Sequence, residues 1–474
     1  MSHIATASPR RRSIRLGITI GVAAVAAMLA SACGGGGESA DQTTTTVSPT
    51  TTPPENRAPI TLEFWSSFTD QTSIDGFKPI VERCQKDNPW LTINYVAKDQ
   101  MKEAVTAAAE AGTLPDVIQA DFSGGLAKLQ ASGAIQPLDE FATRDGLDWN
   151  EFTPGAQKLV TFDGKKWGLP LSLDTAALFY NGDVLAEAGL EPPKSFDEIS
   201  AAAEQLIKRA PDGSLERIGW VPDVGDGSSV IPIGLLFGGK LFSEDGKQVL
   251  IAEGDGWAES FRMQKKFLDL LGPPEDAARF ASSLGAYDSA QNFFITGQVP
   301  LYTELSYFTT WPSRFGQGQP AEWGVVPMPG PDGIASAEEF ALISSGNSFF
   351  IPAKPKAGDP EASWIAASCM ATAAQEIADF EVVQGNIPAN IPALEIFEQI
   401  EATKVPEYQT FIELARSPNA AVPGNSVVIE AAYDEITTLA LRYRRGEIPD
   451  DQLQSEIDAM AERLQSELDL ETGG

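Results

Sequence analysis

The alternation of apolar and polar positions predicts the first elements. "ITLEFW", starting at Ile60, alternates with period two and predicts a strand. In "DGFKPIVERCQKDNP", Phe77, Ile80, Val81 and Cys84 recur at i, i+3, i+4 and i+7, the stripe of an amphipathic helix. "LTINYV" predicts a second strand, "MKEAVTAAAEAG" a second helix and "PDVIQA" a short buried strand. This β-α-β-α-β order argues an α/β fold with a mainly parallel sheet. Further on, "SFDEISAAAEQLIKRA" and "GWAESFRMQKKFLDLL" predict helices and "AEWGVVPMP" a strand. Helices dominate the end of the chain, where Leu453, Ile457, Met460, Leu464 and Leu468 form one stripe.

Two regions depart from this alternation. The first is the N-terminus. Arg10, Arg11, Arg12 and Arg15 precede an apolar run, Leu16 to Ala32, that ends in "LASAC". The run is shorter than the ~20 residues of a membrane span and has the layout of a cleaved signal. The small residues before Cys33 resemble a bacterial lipobox, although Ala30 stands where a larger aliphatic is commoner. That resemblance implies residues 1–32 as a lipoprotein signal peptide and a lipid on Cys33. Ordinary signal cleavage, leaving a free Cys33, is the alternative. Residues 33–58 are Gly, Thr and Pro without apolar periodicity, so they cannot bury enough surface to fold. A coil of this length reaches roughly 25–30 Å and would tether the body to an anchor.

The second departure is "WGLPLSLDTAALFYN", where Asp174 is the one full charge in an apolar run. A carboxylate buried without partners is costly, so Asp174 must reach a cleft or find a donor.

Composition narrows the chemistry. The 474 residues, enough for two or three domains, carry a formal charge of −32. Losing residues 1–32 removes four arginines and no acids, so the mature charge is −32 − 4 = −36. A phosphate backbone would be repelled, so nucleic acid is excluded as a partner. The only histidine, His3, goes with the signal. Ser-His-Asp and Cys-His catalysis and His-containing zinc sites go with it. The three cysteines, Cys33, Cys84 and Cys369, have no metal-ligand spacing, and no metal or cofactor is expected.

"FDGKKWGLPLSLDTAALFYNGDVLAEAGLEPPKSFDEI" resembles the extracellular solute-binding proteins of carbohydrate ABC importers, the maltose-binding-protein-like family. "EFW" at 63–65, "LPDVIQAD", "FFITGQVPLYTE", "WGVVPMPGPDG", "PEASWIAAS" and "GNIPANIPALE" resemble further family segments in the same order, over roughly residues 59–474. Pro300 and Leu301 depart from the family's Ala-Met.

The resemblance implies a two-lobe periplasmic-binding-protein-like fold of type II, each lobe a mainly parallel sheet flanked by helices, with three hinge crossovers. Lobe I would comprise 59–171 plus 347–385, and lobe II 175–342 plus 389–474. Asp174 would lie on the cleft floor, accepting ligand hydroxyls; the bland alternative is a capped or ion-paired acid at a strand end. Ser67, Asp121 and Ser123, in loops after strands, and Glu304, Tyr307, Asp226 and Asn347 are the further ligand-binding candidates. Trp220 and Trp311 are weaker ones, since Trp is more often core. Scarce Arg and Lys in these loops argue against a phosphate or carboxylate ligand. Cys84 and Cys369 read as buried thiols, but the resemblance puts both in lobe I, and export would allow a disulfide between them.

The resemblance thus implies a lipid-anchored, extracytoplasmic, monomeric binding protein, not an enzyme. It would capture a small neutral sugar or polyol and deliver it to ABC permease subunits. The alternative is an anchored carbohydrate-active enzyme, a glycosidase or lyase, for which no catalytic motif is visible.

Overall fold

Two mixed β-sheets, joined by the strand that contains Asp174, carry the architecture. The computed structural model describes residues 57–122, 125–220, 230–330, 333, 336–338 and 340–473. The signal, Cys33, nearly all of the linker, Ser123 and Asp226 lie outside the described residues.

The first sheet begins as the alternation predicts. Ile60–Ser66 pairs in parallel with Leu91–Ala97 on one edge and with Val117–Ala120 on the other. The helix Gln71–Asp87 connects the first two strands. Asp70 caps it, accepting from the Ser73 amide at 3.0 Å, and Phe77, Ile80, Val81 and Cys84 are its buried face. Helix Met101–Ala111 ends at Gly112, whose φ of 65° is the left-handed cap that glycine adopts without strain. Ser348–Phe350 then adds to this sheet antiparallel to Val117–Ala120, and Leu169–Pro170 adds antiparallel to it.

The second sheet is built on the long strand Ser172–Asn181. Leu301–Leu305, Trp323–Pro327, Ala341–Ser345 and Ile387–Pro388 all pair with it antiparallel. Among the described residues the parallel pairing expected from the sequence holds for the first three strands and for Ala341–Ser345 with Ala420–Ala421, while the remaining pairs in the two sheets are antiparallel. Strands that pass back and forth between the sheets at one hinge return in opposite directions, which mixes the pairing. A ten-residue strand with four partners is covered almost throughout, and only Tyr180 is half-buried. Such cover explains the near-continuous apolar run.

The chain passes between the sheets at three adjacent places. Leu169–Pro170 lies in the first sheet and Ser172 opens the second. Ser345 closes a strand of the second sheet and Ser348 opens one in the first. Ile387 and Pro388 pair with Leu173 and Ser172. Backbone bonds stitch the three together: Leu171 N–H donates to Asn347 O at 2.8 Å, and Ala389 N–H to Leu171 O at 3.0 Å. Helix Pro154–Leu159 packs onto the second sheet, so closely that a Cβ on Gly155 would sit 1.9 Å from Ile343.

Separate cores back the sheets. One gathers Leu62, Phe64, Phe77, Phe349 and Trp364 around the first sheet. Another gathers Leu173, Phe179, Phe308 and Phe411 on the second. A helical layer including Trp257, Ile436 and Leu464 forms a third. The last helix, Leu453–Thr472, buries the whole predicted stripe. One helix is shorter than expected. Phe196–Leu206 stops before Lys208, and Lys208–Arg209 pairs with Leu215–Arg217 as a hairpin. Pro211 disfavours the helical conformation at Ala210, and Asp212 takes the Ser214 amide in the turn.

Cys84 and Cys369 are joined in a disulfide that ties helix Gln71–Asp87 to helix Pro360–Ala371. Among the described residues no helix is long and apolar enough to cross a membrane.

Candidate functional site

The three crossings concentrate polar side chains between the lobes. Asp174 is the central one. It occupies the third position of the long strand, opposite Ser345. The register shifts between Ile343 and Ser345, and this irregularity directs the Ser345 hydroxyl at the acid. Ser345 Oγ donates to Asp174 Oδ2 at 2.7 Å. Asp174 Oδ1 is buried and, among the described residues, has no hydrogen-bond partner. Asp174 is 9% exposed. Burial pushes its carboxyl up to about 6, the Ser345 bond opposes this, and the charges of Asp121 and Glu304 add to the rise. A second buried acid, Glu381, feels the charge of Asp174. Both of its oxygens are buried without partners among the described residues, and burial plus the charge of Asp174 holds it well above the usual carboxylate range.

The first lobe contributes a hydrogen-bonded chain at the carboxyl ends of its strands. Ser66 Oγ donates to Gln119 Oε1 at 2.6 Å, and Gln119 Nε2 donates to Asn347 Oδ1 at 2.7 Å. The Ser67 amide reaches both the carbonyl and the side chain of Gln119. Asp121, just beyond, is exposed. Carboxyl ends of strands are where α/β folds place ligands.

The second lobe contributes an aromatic wall fixed by an acid. Glu304 Oε2 accepts from Tyr302 Oη at 2.8 Å and Tyr287 Oη at 3.0 Å. Its Oε1 accepts from Tyr307 Oη at 3.2 Å and the Leu305 amide at 2.8 Å. Glu304 thus ties the three tyrosine hydroxyls together. Burial and the Glu304 charge push the Tyr307 and Tyr287 hydroxyls far up, so both stay protonated donors. Trp311 lies tilted against both rings, its centroid 5.6 Å from Tyr307 and 5.5 Å from Tyr287. Gly385, at φ 83°, lets the third crossing approach Tyr307, since a Cβ there would lie 3.0 Å from the Tyr307 Cα.

The candidates sort as follows. Asp174, Asp121, Glu304 and Tyr307 are linked by their mutual charge effects, and Ser67 and Asn347 by Gln119. Trp220 is core: it is buried, crosses Phe267 edge-on and donates to Thr303. Sequence reasoning missed Gln119, Glu381, Tyr287, Tyr302 and Tyr433, whose hydroxyl feels the charge of Asp121. Gln119 carries the signal that exposed Asp174, a polar residue inside an apolar strand.

Two sheets joined by three crossings, with polar side chains gathered at the crossings, fit a type II periplasmic-binding-protein-like fold. The described chain superposes on the sugar-binding protein MalE from Xanthomonas citri with a TM-score of 0.70 at 18% identity, covering 86% of this chain and 98% of that one. It superposes on mannobiose-bound CpMnBP1 with a TM-score of 0.69 at 20% identity, covering 85% and 99%. The family model of the bacterial extracellular solute-binding protein matches residues 79–407, and the chain belongs to that family. The maltotriose-binding protein of Pyrococcus abyssi is 25% identical over 257 residues, 53% of this chain. That match spans half the length of the relative. The maltodextrin-binding protein MdxE of Bacillus subtilis is 22% identical over 381 residues, covering 78% of this chain and 85% of that protein.

Proposed function

We propose that the protein captures a sugar or sugar-like polyol in the interlobe cleft and delivers it to the permease of an ABC importer. Asp174 carries this reading. A buried oxygen without a partner, at the point where both lobes meet, is an acceptor awaiting a donor, and sugar hydroxyls are directional donors. Tyr307 and Trp311 supply faces for the apolar side of a pyranose ring. The names of the relatives, which bind maltotriose and maltodextrin, agree with this class of ligand.

The same reading anchors the mature chain outside the cell through a lipid on Cys33, with residues 34–58 as tether. Labelled palmitate should enter the wild-type chain and not Cys33→Ser in the producing cell.

The binding test is a thermal-shift screen of the full-length protein in detergent. A ligand bound only by the native state raises the melting temperature by mass action. At least one sugar or polyol is expected to shift it, with the shift reduced in Asp174→Asn. Absence of any shift, together with hydrolysis of a glycan, would instead favour an anchored carbohydrate-active enzyme.

A further inference from the structure

Gln119 is fully buried, and its side chain is bonded at both ends. Oε1 accepts from Ser66 Oγ at 2.6 Å and from the Ser67 amide at 3.3 Å, and Nε2 donates to Asn347 Oδ1 at 2.7 Å. The two ends of a carboxamide are told apart by their partners, and here the partners leave one choice. The Ser67 amide can only donate. Ser66 Oγ accepts from the Phe68 amide at 3.2 Å, which leaves its proton for Gln119. The Gln119 atom facing both is therefore the oxygen, and its nitrogen faces Asn347. A second nitrogen there would set donor against donor, so Asn347 turns its oxygen to Gln119 and its Nδ2 away. Among the described residues Nδ2 donates to nothing, yet it is not sealed from solvent.

Asn347 and Asp174 share one strip of the hinge. Asn347 O accepts from the Ser172 amide at 3.2 Å, and two residues along each strand Ser345 stands opposite Asp174. Diagonal neighbours of this kind are roughly 7–8 Å apart. Gly346 faces the other way, since a Cβ on it would meet the side chains of Leu159 and Leu173. Successive residues of an extended chain alternate faces, so Ser345 and Asn347 point to the side of Asp174. The strip thus offers a fixed donor, Asn347 Nδ2, beside an acceptor, Asp174 Oδ1, which has no partner among the described residues.

We propose that Gln119 is a positioning residue that sets the hydrogen-bonding sense of the cleft: it holds Asn347 as a donor, so that a bound saccharide accepts from Asn347 and donates to Asp174. The proposal rests on the sugar-binding reading and sharpens it to a ligand with an accepting oxygen close to a donating hydroxyl. Gln119 is buried and acts only through Asn347. A ligand group of the wrong sense would set donor against donor and leave a polar group unpaired, which is what makes hydrogen-bonded sites selective.

The test contrasts two variants of the full-length protein in detergent, with maltose, cellobiose, glucose and mannose as calorimetric probes. Gln119→Glu keeps the shape and can still accept from Ser66 and Ser67. Its second oxygen can only accept, so Asn347 turns its nitrogen inward and shows the cleft an oxygen. Gln119→Met removes every bond and leaves Asn347 free to rotate and donate. Affinity for the tightest-binding probe is expected to fall tenfold or more in Gln119→Glu and by a smaller factor in Gln119→Met, although Gln119→Met melts lower. A purely structural role predicts the larger affinity loss in the less stable variant. Side-chain amide exchange by NMR needs neither variant nor sugar: in wild-type protein Gln119 Nε2 is expected to exchange tenfold or more slower than Asn347 Nδ2. In Gln119→Glu the Asn347 amide should become the protected one. If Asn347 Nδ2 is the slower in wild type, or Gln119→Glu binds as wild type does, the assignment falls and the sugar-binding reading stands. If no probe, and no sugar in the wider thermal-shift screen, binds the wild-type protein, both fall.

Discussion

Ser345 donates to one oxygen of Asp174 at 2.7 Å and leaves the other buried with nothing to accept from. Half of the carboxylate is held by the protein and half is held open. The arrangement orients the acid without satisfying it, at some cost to the protein.

That cost is readable as a pH dependence. Asp174 is an acid whose folded-state value, about 6, lies above its ordinary 3.8. The folded state therefore holds the proton more tightly than the unfolded chain between these values. The Asp174 contribution to stability is greatest below pH 3.8, declines as pH rises through 6 and is lost above it. The difference amounts to about 3 kcal/mol by the usual conversion of pKa shift to free energy. Asp174→Asn removes the ionisation. Unliganded Asp174→Asn is expected to melt higher than wild type at pH 7.5, with the two converging toward pH 4.5. Ligand affinity should fall tenfold or more. A lower melting temperature at pH 7.5 with affinity intact would make Asp174 a structural acid.

Glu381 makes the complementary case. Its two oxygens are buried without partners, and it is held protonated by burial and by Asp174. An unsatisfied buried polar group costs roughly 1–3 kcal/mol, and an apolar side chain of similar shape removes that cost. Glu381→Met is expected to raise the unliganded melting temperature without changing ligand affinity. A large loss of stability instead would mean that Glu381 holds buried water at the hinge.

Much of the scaffold was legible in the sequence because burial imposes periodicity. Phe77, Ile80, Val81 and Cys84 had to share a face, and all four are buried in one core. The same holds for Leu453 through Leu468. Asp174 was legible for the opposite reason, as a charge in a run with no room for one. Glu381 was not legible. It lies in "IADFEVV", where an acid on a short helix reads as an exposed position, and only the packing of that helix onto the hinge buries it. The pairing of Tyr287, Tyr302 and Tyr307 with Glu304 was hidden too, since it joins residues up to 17 positions apart through a loop of no regular pattern. The direction of the second-sheet strands was hidden because periodicity reports which face is buried, not which way the neighbour runs.

The disulfide between Cys84 and Cys369 spans 285 residues of sequence. Closing so long a loop restricts the unfolded chain, and native disulfides typically contribute about 2–5 kcal/mol. Alkylation of unfolded, unreduced protein should leave both cysteines unmodified, and reduction should make both reactive. Cys84→Ala with Cys369→Ala is expected to lower the melting temperature while sparing affinity, because both residues pack in the core behind the first sheet. Two alkylated thiols without reductant would rule the bond out.

Contacts across the lobes predict how closure is tuned. Glu430, on helix Ile429–Arg444, accepts from Lys102 Nζ at 3.2 Å and from Lys128 Nζ at 3.1 Å, both on the first lobe. Nearby, the Leu126 amide donates to Asn425 Oδ1 at 3.2 Å. All three ionic side chains are more than half exposed, so each pair is worth no more than about 1 kcal/mol and is screened by salt. A lobe motion that separated Glu430 from Lys102 and Lys128 would break these pairs, so they are expected to favour the arrangement seen here. A ligand that needs this arrangement binds more weakly in proportion to any loss of its population. Glu430→Lys places like charges together, so affinity is expected to fall by a few-fold to tenfold, and the unliganded protein to show a larger radius of gyration in small-angle scattering. The melting temperature should change little, since no core residue is touched. Raising salt should narrow the gap between variant and wild type. An affinity unchanged at low salt would mean that these lysines decorate the surface and take no part in closure.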